Sequence, residues 1–366
     1  MCIRDSLSAL RDQGDQVRIY CADWSGPVPE GVELRPVKPR SLTNHGRQAR
    51  FFRQVLADSE ADPVDGLVAF DRMPGADICF VADDSFAARA ALDHGTLYRL
   101  TARYRHFARC ERALFAPSGD SVLLLVSERQ RDTYLARYDT PHERLFVLDP
   151  GLLPDRRLPE MKPAQRAARR EALGLAEGEL GLLFVGSAFA TKGLDRAITA
   201  LATLRREQPS ARARLLVAGD GTPRRFRRLA RRLGVAQDLS FLGGRDDIGP
   251  LMQSADALLH PARTEAAGAV LLEAIAAGLP VITTEACGHA QLVTRARAGT
   301  VLPEPFEQPA LDKALLRYLD GTYRASCREA GRLYARTTNM GGMHEQAARL
   351  IAAILHRRSL RVATDG

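Results

Sequence analysis

The chain has 366 residues, 45% of them hydrophobic and 26% charged, enough for two domains with separate cores. No apolar run approaches the roughly 18 residues that a membrane-crossing helix needs. Six cysteines (Cys2, Cys21, Cys79, Cys110, Cys287 and Cys327) lack C-x-x-C spacing, which argues against a zinc site or a disulfide framework and fits a reducing cytoplasm. The formal net charge of +8 is carried almost wholly by arginine, since only Lys38, Lys162, Lys192 and Lys313 are lysines. A lysine kept against that bias points to a place where a compact ammonium is needed.

In chain order, Met1-Cys2-Ile3-Arg4-Asp5-Ser6 has no basic region followed by an apolar stretch, so it is not a signal peptide. It reads as a foreign start, and Leu7 to Gln13 as the end of a helix capped by Gly14. Short β-rich runs then alternate with helical patterns, the mark of parallel βα units. Strands are expected at 17–21, 32–37, 65–70, 77–82, 121–126 and 144–147, then at 181–186, 213–218, 239–241, 256–260, 280–284 and 299–302. Asp149-Pro150-Gly151-Leu152-Leu153-Pro154, followed by Pro159 and Pro163, reads as a linker. The expected division is therefore a domain over 1–150, a linker over 151–163, a second domain over 164–340 and a closing helical segment over 341–366. Helices are expected at 324–337 and 342–357.

Four segments carry chemistry. Thr43-Asn44-His45-Gly46-Arg47 opens a helix with Thr43 or Asn44 as N-cap. Leu97, Leu100, Tyr104, Phe107 and Leu114 recur at the spacing of one helix face, among Arg99, Arg103, Arg105, Arg109 and Arg112 and the single acid Glu111. Such a stripe suits a helix lying on anionic lipid; a core helix with a solvated arginine face is the alternative. The buried run Leu182-Leu183-Phe184-Val185-Gly186 leads to Ala190-Thr191-Lys192-Gly193 and a helix from Leu194, which makes an anion site. Finally, Ala257-Leu258-Leu259-His260-Pro261 leads into Glu265-Ala266-Ala267-Gly268-Ala269-Val270-Leu271-Leu272-Glu273. On a continuous helix the two glutamates would stand about 12 Å apart along the axis. That is too far for a hydrolytic carboxylate pair, which needs about 5 to 9.5 Å. It suits acceptors for the two ends of a long polar ligand such as a nucleotide sugar.

The arginines of 224–232 back Phe226, Leu229, Ala230 and Leu233, and read as a solvated face. Because the basic segments lack interleaved stacking aromatics, apart from the stripe that fits a membrane better, a nucleic-acid partner is not expected.

The E-x7-E pattern in this setting resembles the retaining glycosyltransferases of the GT-B group. Ser41-Leu42-Thr43-Asn44-His45-Gly46-Arg47, Met73-Pro74-Gly75-Ala76-Asp77, Leu97-Tyr98-Arg99-Leu100-Thr101 with Arg103-Tyr104-Arg105-His106, and His260-Pro261-Ala262 look like the lipopolysaccharide-core α-1,3-glucosyltransferases. This likeness runs from about residue 7 to about 356.

The resemblance implies an α/β protein of GT-B fold, with two Rossmann-like domains facing across a cleft and the last helix returning to the first domain. It implies transfer of glucose from UDP-glucose to an inner-core heptose with retention, the leaving phosphate helping to take the acceptor proton. Glu265 and Lys192 are the implied catalytic residues. Gly186, Lys192, Arg245, Ile248, Glu265, Ala266, Ala267, Gly268 and Glu273 are the implied donor contacts, with Glu265 at the sugar, Lys192 at the diphosphate, Glu273 at the ribose and Phe241 to Ile248 around the uracil.

His45, Arg47, Asp77 and Asp83 are the implied acceptor contacts, and Arg99, Arg103, Tyr104, Arg105, Phe107 and Arg109 the implied membrane contacts. No cofactor is expected. No D-x-D is present, so no metal is expected either, and Thr191 stands where the family often has a second cation. The implied partners are the lipopolysaccharide inner core and an anionic membrane, for a protein placed in the cytoplasm and peripheral on the inner membrane; a monomer is expected, although the sequence does not fix the oligomeric state.

A family member would begin with an earlier strand and a Gly-Gly loop, so the chain is expected to be truncated at its start. Another GT-B enzyme (a different hexose or acceptor, or an epimerase) and a non-catalytic nucleotide-sugar-binding protein are the alternatives.

Overall fold

All twelve expected strands form, and every pairing among the described residues is parallel. The computed structural model describes residues 14–365; the helix end read over residues 7–13 lies outside them. Two units result, one holding the chain up to Gly151 together with Gly342 onward, the other Leu152–Gly341.

In the first unit β1 (Val17–Cys21) pairs with β2 (Val32–Pro36), and a four-stranded sheet runs β3 (Val68–Ala69), β4 (Ile78–Val81), β5 (Val122–Leu125) and β6 (Leu145–Val147). The run at 65–70 keeps only two residues as strand. Ile78, Cys79, Phe80, Leu123, Leu124 and Leu125 are fully buried, as parallel strands covered on both faces must be. The helices are α1 (Asn44–Ala61), α2 (Phe86–Asp93), α3 (Ala102–Phe115) and α4 (Glu128–Tyr138). Thr43, not Asn44, is the N-cap of α1, its Oγ1 accepting from the Gly46 amide at 3.2 Å. The closing helix, Met343–Asp365, belongs to this unit, and Gln346 Oε1 accepts from the Asp149 amide at 2.6 Å.

The second unit has six strands: β7 (Leu180–Val185), β8 (Ala213–Ala218), β9 (Leu239–Gly243), β10 (Ala257–His260), β11 (Val281–Thr284) and β12 (Gly299–Leu302). They lie in the order β12-β11-β10-β7-β8-β9; α5 (Pro163–Ala172) precedes them, α6 (Leu194–Glu207), α7 (Arg224–Arg232), α8 (Ile248–Ser254), α9 (Ala269–Ala277) and α10 (Ala290–Arg295) run between them, and α11 (Gln308–Arg317) and α12 (Gly321–Thr337) follow β12. Strand alternation divides the core into two layers. Leu183, Leu216 and Leu258 join the layer under α8 and α9, whereas Leu182, Leu215 and Leu259 join the layer under α6 and α11. Strand order reverses between β7 and β10. In open α/β sheets that reversal opens a crevice at the carboxyl ends of the strands, where ligands collect.

Candidate active site

β7 and β10 are direct neighbours, with Leu182 beside Ala257 and Leu183 beside Leu258. Their exit loops therefore emerge together at the reversal point. Several bonds stitch one loop to the other. The Arg263 amide donates to the Thr191 carbonyl at 2.8 Å, and its guanidinium reaches the Ala190 carbonyl at 2.8 Å and forks onto Asp195 at 2.9 and 2.6 Å. From α6, Arg196 donates to the carbonyls of Pro261 and Ala262, each at 3.2 Å. Gly193 caps α6 with φ 77°, and a Cβ there would lie 2.0 Å from the Pro261 carbonyl oxygen. Only glycine accepts both the conformation and the approach. This contact seats the Lys192 ammonium on the Glu265 carboxylate, both half-buried.

The exit of β11 holds Glu265 from the other side. Its amide donates to the Ala286 carbonyl at 3.1 Å, its carbonyl accepts from the Gly288 amide at 2.8 Å, and Glu265 and Cys287 form a parallel bridge. The Ala267 carbonyl accepts from the His289 amide at 2.7 Å. Burial pushes the His289 imidazole down to about 4. Gly268, at φ 84°, is the N-cap of α9. The helix therefore starts at Ala269, and Glu265 stands in extended chain before it. This corrects the expected 12 Å helical offset of the two glutamates, because a left-handed glycine breaks the helix between them. Glu273 lies mid-helix, 3.9 Å from Arg156 Nε, and burial pushes its carboxyl up.

His260 ends β10 fully buried, beneath Glu265. Its Nε2 is 3.7 Å from Glu265 Oε2, and neither ring nitrogen has a hydrogen-bond partner among the described residues. Burial, helped by the Lys192 ammonium, pushes the imidazole down to about 3. An unpaired polar group in such a place costs about 1–3 kcal/mol. In the sequence, the mark of His260 is a titratable residue ending an otherwise apolar strand.

Further along the crevice edge, Gly186 follows β7 and Ala266 is buried. Arg245 is exposed and forks onto Asp247 at 2.8 Å through both contacts, while Ile248 opens α8 against the core. Asp247 is also paired with Arg169, so one carboxylate is shared by two guanidiniums.

In the first unit Asp83 follows β4 and is exposed, while its carbonyl accepts from Gln130 Nε2 at 2.8 Å and from Arg72 at 3.1 Å. Asp77 does not join it. It stands at the opposite, amino end of β4, where its carboxylate accepts from the Leu67 amide at 2.7 Å.

His45 and Arg47 open α1. The His45 ring lies 6.2 Å from that of His106, which bonds Gln48 Oε1 at 2.7 Å. Arg47 is exposed and lines an open hollow of about 900 Å³ with Asp23, Lys38, Arg40 and Arg50.

The expected single helix over the arginine segment is corrected. Thr96–Leu100 is a separate 3-10 turn, and extended Thr101 caps α3 after it. Leu97 and Leu100 are 78% and 63% exposed, Tyr104 and Phe107 pack on the Phe86 ring at 5.8 and 5.1 Å, and Leu114 is core. Arg99, Arg103, Arg105, Arg109 and Arg112 are all exposed. Glu111 is fully buried and turns inward, accepting from Ser85 Oγ at 2.8 Å, the Phe86 amide at 2.5 Å and Tyr138 at 2.7 Å. No helix among the described residues is long and apolar enough to cross a membrane.

The sequence profile of the glycosyl transferases group 1 matches residues 165–334, a span that contains Lys192, Glu265 and Glu273. The lipopolysaccharide glucosyltransferase WaaG of Escherichia coli (strain K12) is 42% identical over 345 residues, covering 94% of this chain and 92% of that protein. The chain belongs to the group 1 glycosyltransferases. A crystal structure of WaaG matches with a TM-score of 0.87 at 42% identity, over 95% of this chain and 94% of that one. Sucrose-phosphate synthase from Thermosynechococcus elongatus matches with a TM-score of 0.76 at 18% identity, over 98% and 93%, a likeness of fold alone. The fold is GT-B, and glycosyl transfer is the activity of the family.

Proposed function

We propose that the protein transfers glucose from UDP-glucose to an inner-core heptose of lipopolysaccharide, with retention of the α configuration, at the cytoplasmic face of the inner membrane. One observation carries this reading: Lys192 and Glu265 meet at the reversal point of the sheet, beside the N-terminus of α9. A cation and a helix N-terminus suit a diphosphate, and a carboxylate beside them suits sugar hydroxyls. Lys192 and the amides of Ala267 and Gly268 would carry the charge that develops on the leaving diphosphate without a metal. Glu273, deeper on α9 and near Arg156, would meet the ribose.

The acceptor hydroxyl oxygen bonds the anomeric carbon while the bond from that carbon to the phosphate oxygen breaks. The hydroxyl proton passes to the departing phosphate on the same face. His45, Arg47 and Asp83 are the acceptor-facing groups, and Asp77 is not among them. A segment with Arg99, Arg103, Tyr104, Arg105, Phe107 and Arg109 would rest on anionic lipid, since its only acid, Glu111, is turned inward. The likeness to a lipopolysaccharide glucosyltransferase over nearly the whole chain supports the acceptor class.

The test is an assay with UDP-glucose and a lipopolysaccharide core ending in heptose, the product read by the anomeric coupling of the new residue. An α-linked glucose is expected. A β-linked product, or transfer only from another nucleotide sugar, overturns the reading.

A further inference from the structure

We infer that the buried imidazole of His260 is the partner Glu265 takes up when a donor diphosphate draws Lys192 away, which makes His260 a positioning residue for the donor site. The inference rests on the donor-site reading given above.

Three observations carry it. The ring is sealed: it is 1% exposed, lies 6.2 Å from the Phe184 ring, and its backbone carbonyl is held by Thr283 Oγ1 at 3.1 Å. Both ring nitrogens lack a partner among the described residues, although buried polar groups in folded proteins almost always have one. The strand residues before it, Ala257, Leu258 and Leu259, are apolar, and an apolar side chain in its place would carry no such penalty. A buried donor left unpaired in this state is accounted for if a second state pairs it.

Geometry supplies that second state. His260 Nε2 stands 3.7 Å from Glu265 Oε2, just beyond hydrogen-bond range, while the carboxylate is occupied by Lys192. A shift of about 1 Å brings nitrogen and oxygen to the ordinary distance. A diphosphate carries more negative charge than one carboxylate, so it competes for the single ammonium and leaves Glu265 half-buried without its cation. An N–H from beneath then satisfies the carboxylate and holds it toward the sugar. Burial keeps the ring neutral, so the contact is a single donor and no second cation enters the site.

The experiment is calorimetric titration of UDP and of UMP, which lacks the second phosphate, into the full chain and its H260F, E265Q and H260F/E265Q variants. H260F should weaken UDP binding about ten- to a hundredfold, the scale of one hydrogen bond to a charged group. UMP affinity should stay unchanged, and H260F should cost nothing further in the E265Q background, where no charge is left to satisfy. H260Q, which keeps an N–H donor, should recover most of the loss. Should H260F fail to fold, H260L carries the same comparison. Unchanged UDP affinity in H260F, or an equal loss for UMP, overturns the inference. Failure of the unaltered chain to bind UDP overturns the donor-site reading itself, and the inference with it.

Discussion

Lys192 and Glu265 leave different strands, β7 and β10, and meet as an ion pair at the point where the strand order reverses. The two side chains best suited to a donor are thus held against each other. Under the proposed donor reading, binding a diphosphate is then an exchange of partners and not the filling of an unpaired cation. Because each side chain keeps about a fifth of its surface exposed, the exchange does not require opening the core.

Removing the cation tests this directly. Lys192→Ala should weaken UDP binding and slow transfer by about two orders of magnitude or more, the scale of one lost electrostatic stabiliser. A chelator should leave the native rate intact. Full activity in the variant, or an absolute need for magnesium, contradicts the assignment.

The two glutamates should divide their labour. Glu273→Gln should mainly impair nucleotide binding. Glu265→Gln should depress turnover with UDP affinity less affected, since the change also removes the anion that competes for Lys192. Calorimetric UDP titrations beside steady-state rates give the ranking, and the reverse order sinks the division.

Gly193→Ala places a methyl group 2.0 Å from the Pro261 carbonyl oxygen at φ 77°. Gly174 has nearly the same backbone conformation, φ 73°, with open space around it. Strain alone is worth about 1–3 kcal/mol at such positions. Gly193→Ala should therefore lower the melting temperature more than Gly174→Ala and should also weaken UDP binding. Equal melting shifts would show that the contact between the loops is soft.

The arginine segment should hold the protein on anionic vesicles and not on neutral ones, and release it as salt rises. Replacing Arg99, Arg103 and Arg105 with serine should abolish co-sedimentation with the fold unchanged, because all three are exposed. Binding to neutral vesicles, or unchanged binding in the triple variant, would limit this stripe to a packing role.

Much of this protein was determined by local sequence. The apolar runs specified the central strands β4, β5, β7, β8, β10 and β11, because a strand buried on both faces must read as a nearly unbroken apolar run. The glycines marked where loops come close, and the E-x7-E segment pointed to the family. Tertiary structure alone decided which side chains meet. Sequence spacing put Glu265 and Glu273 on one helix, but Gly268 in a left-handed conformation starts the helix only after Glu265. Sequence gave Glu111 no role beyond the one acid in a cationic stripe. The amides opening α2 turn it inward and leave the surface wholly basic. His260 looked like a strand end, and only the packing of β10 beside β7 shows an imidazole without a partner under a carboxylate. Periodicity reports which face of an element is buried; it carries no information about which loop stands opposite, and in a doubly wound sheet the site is made by that opposition.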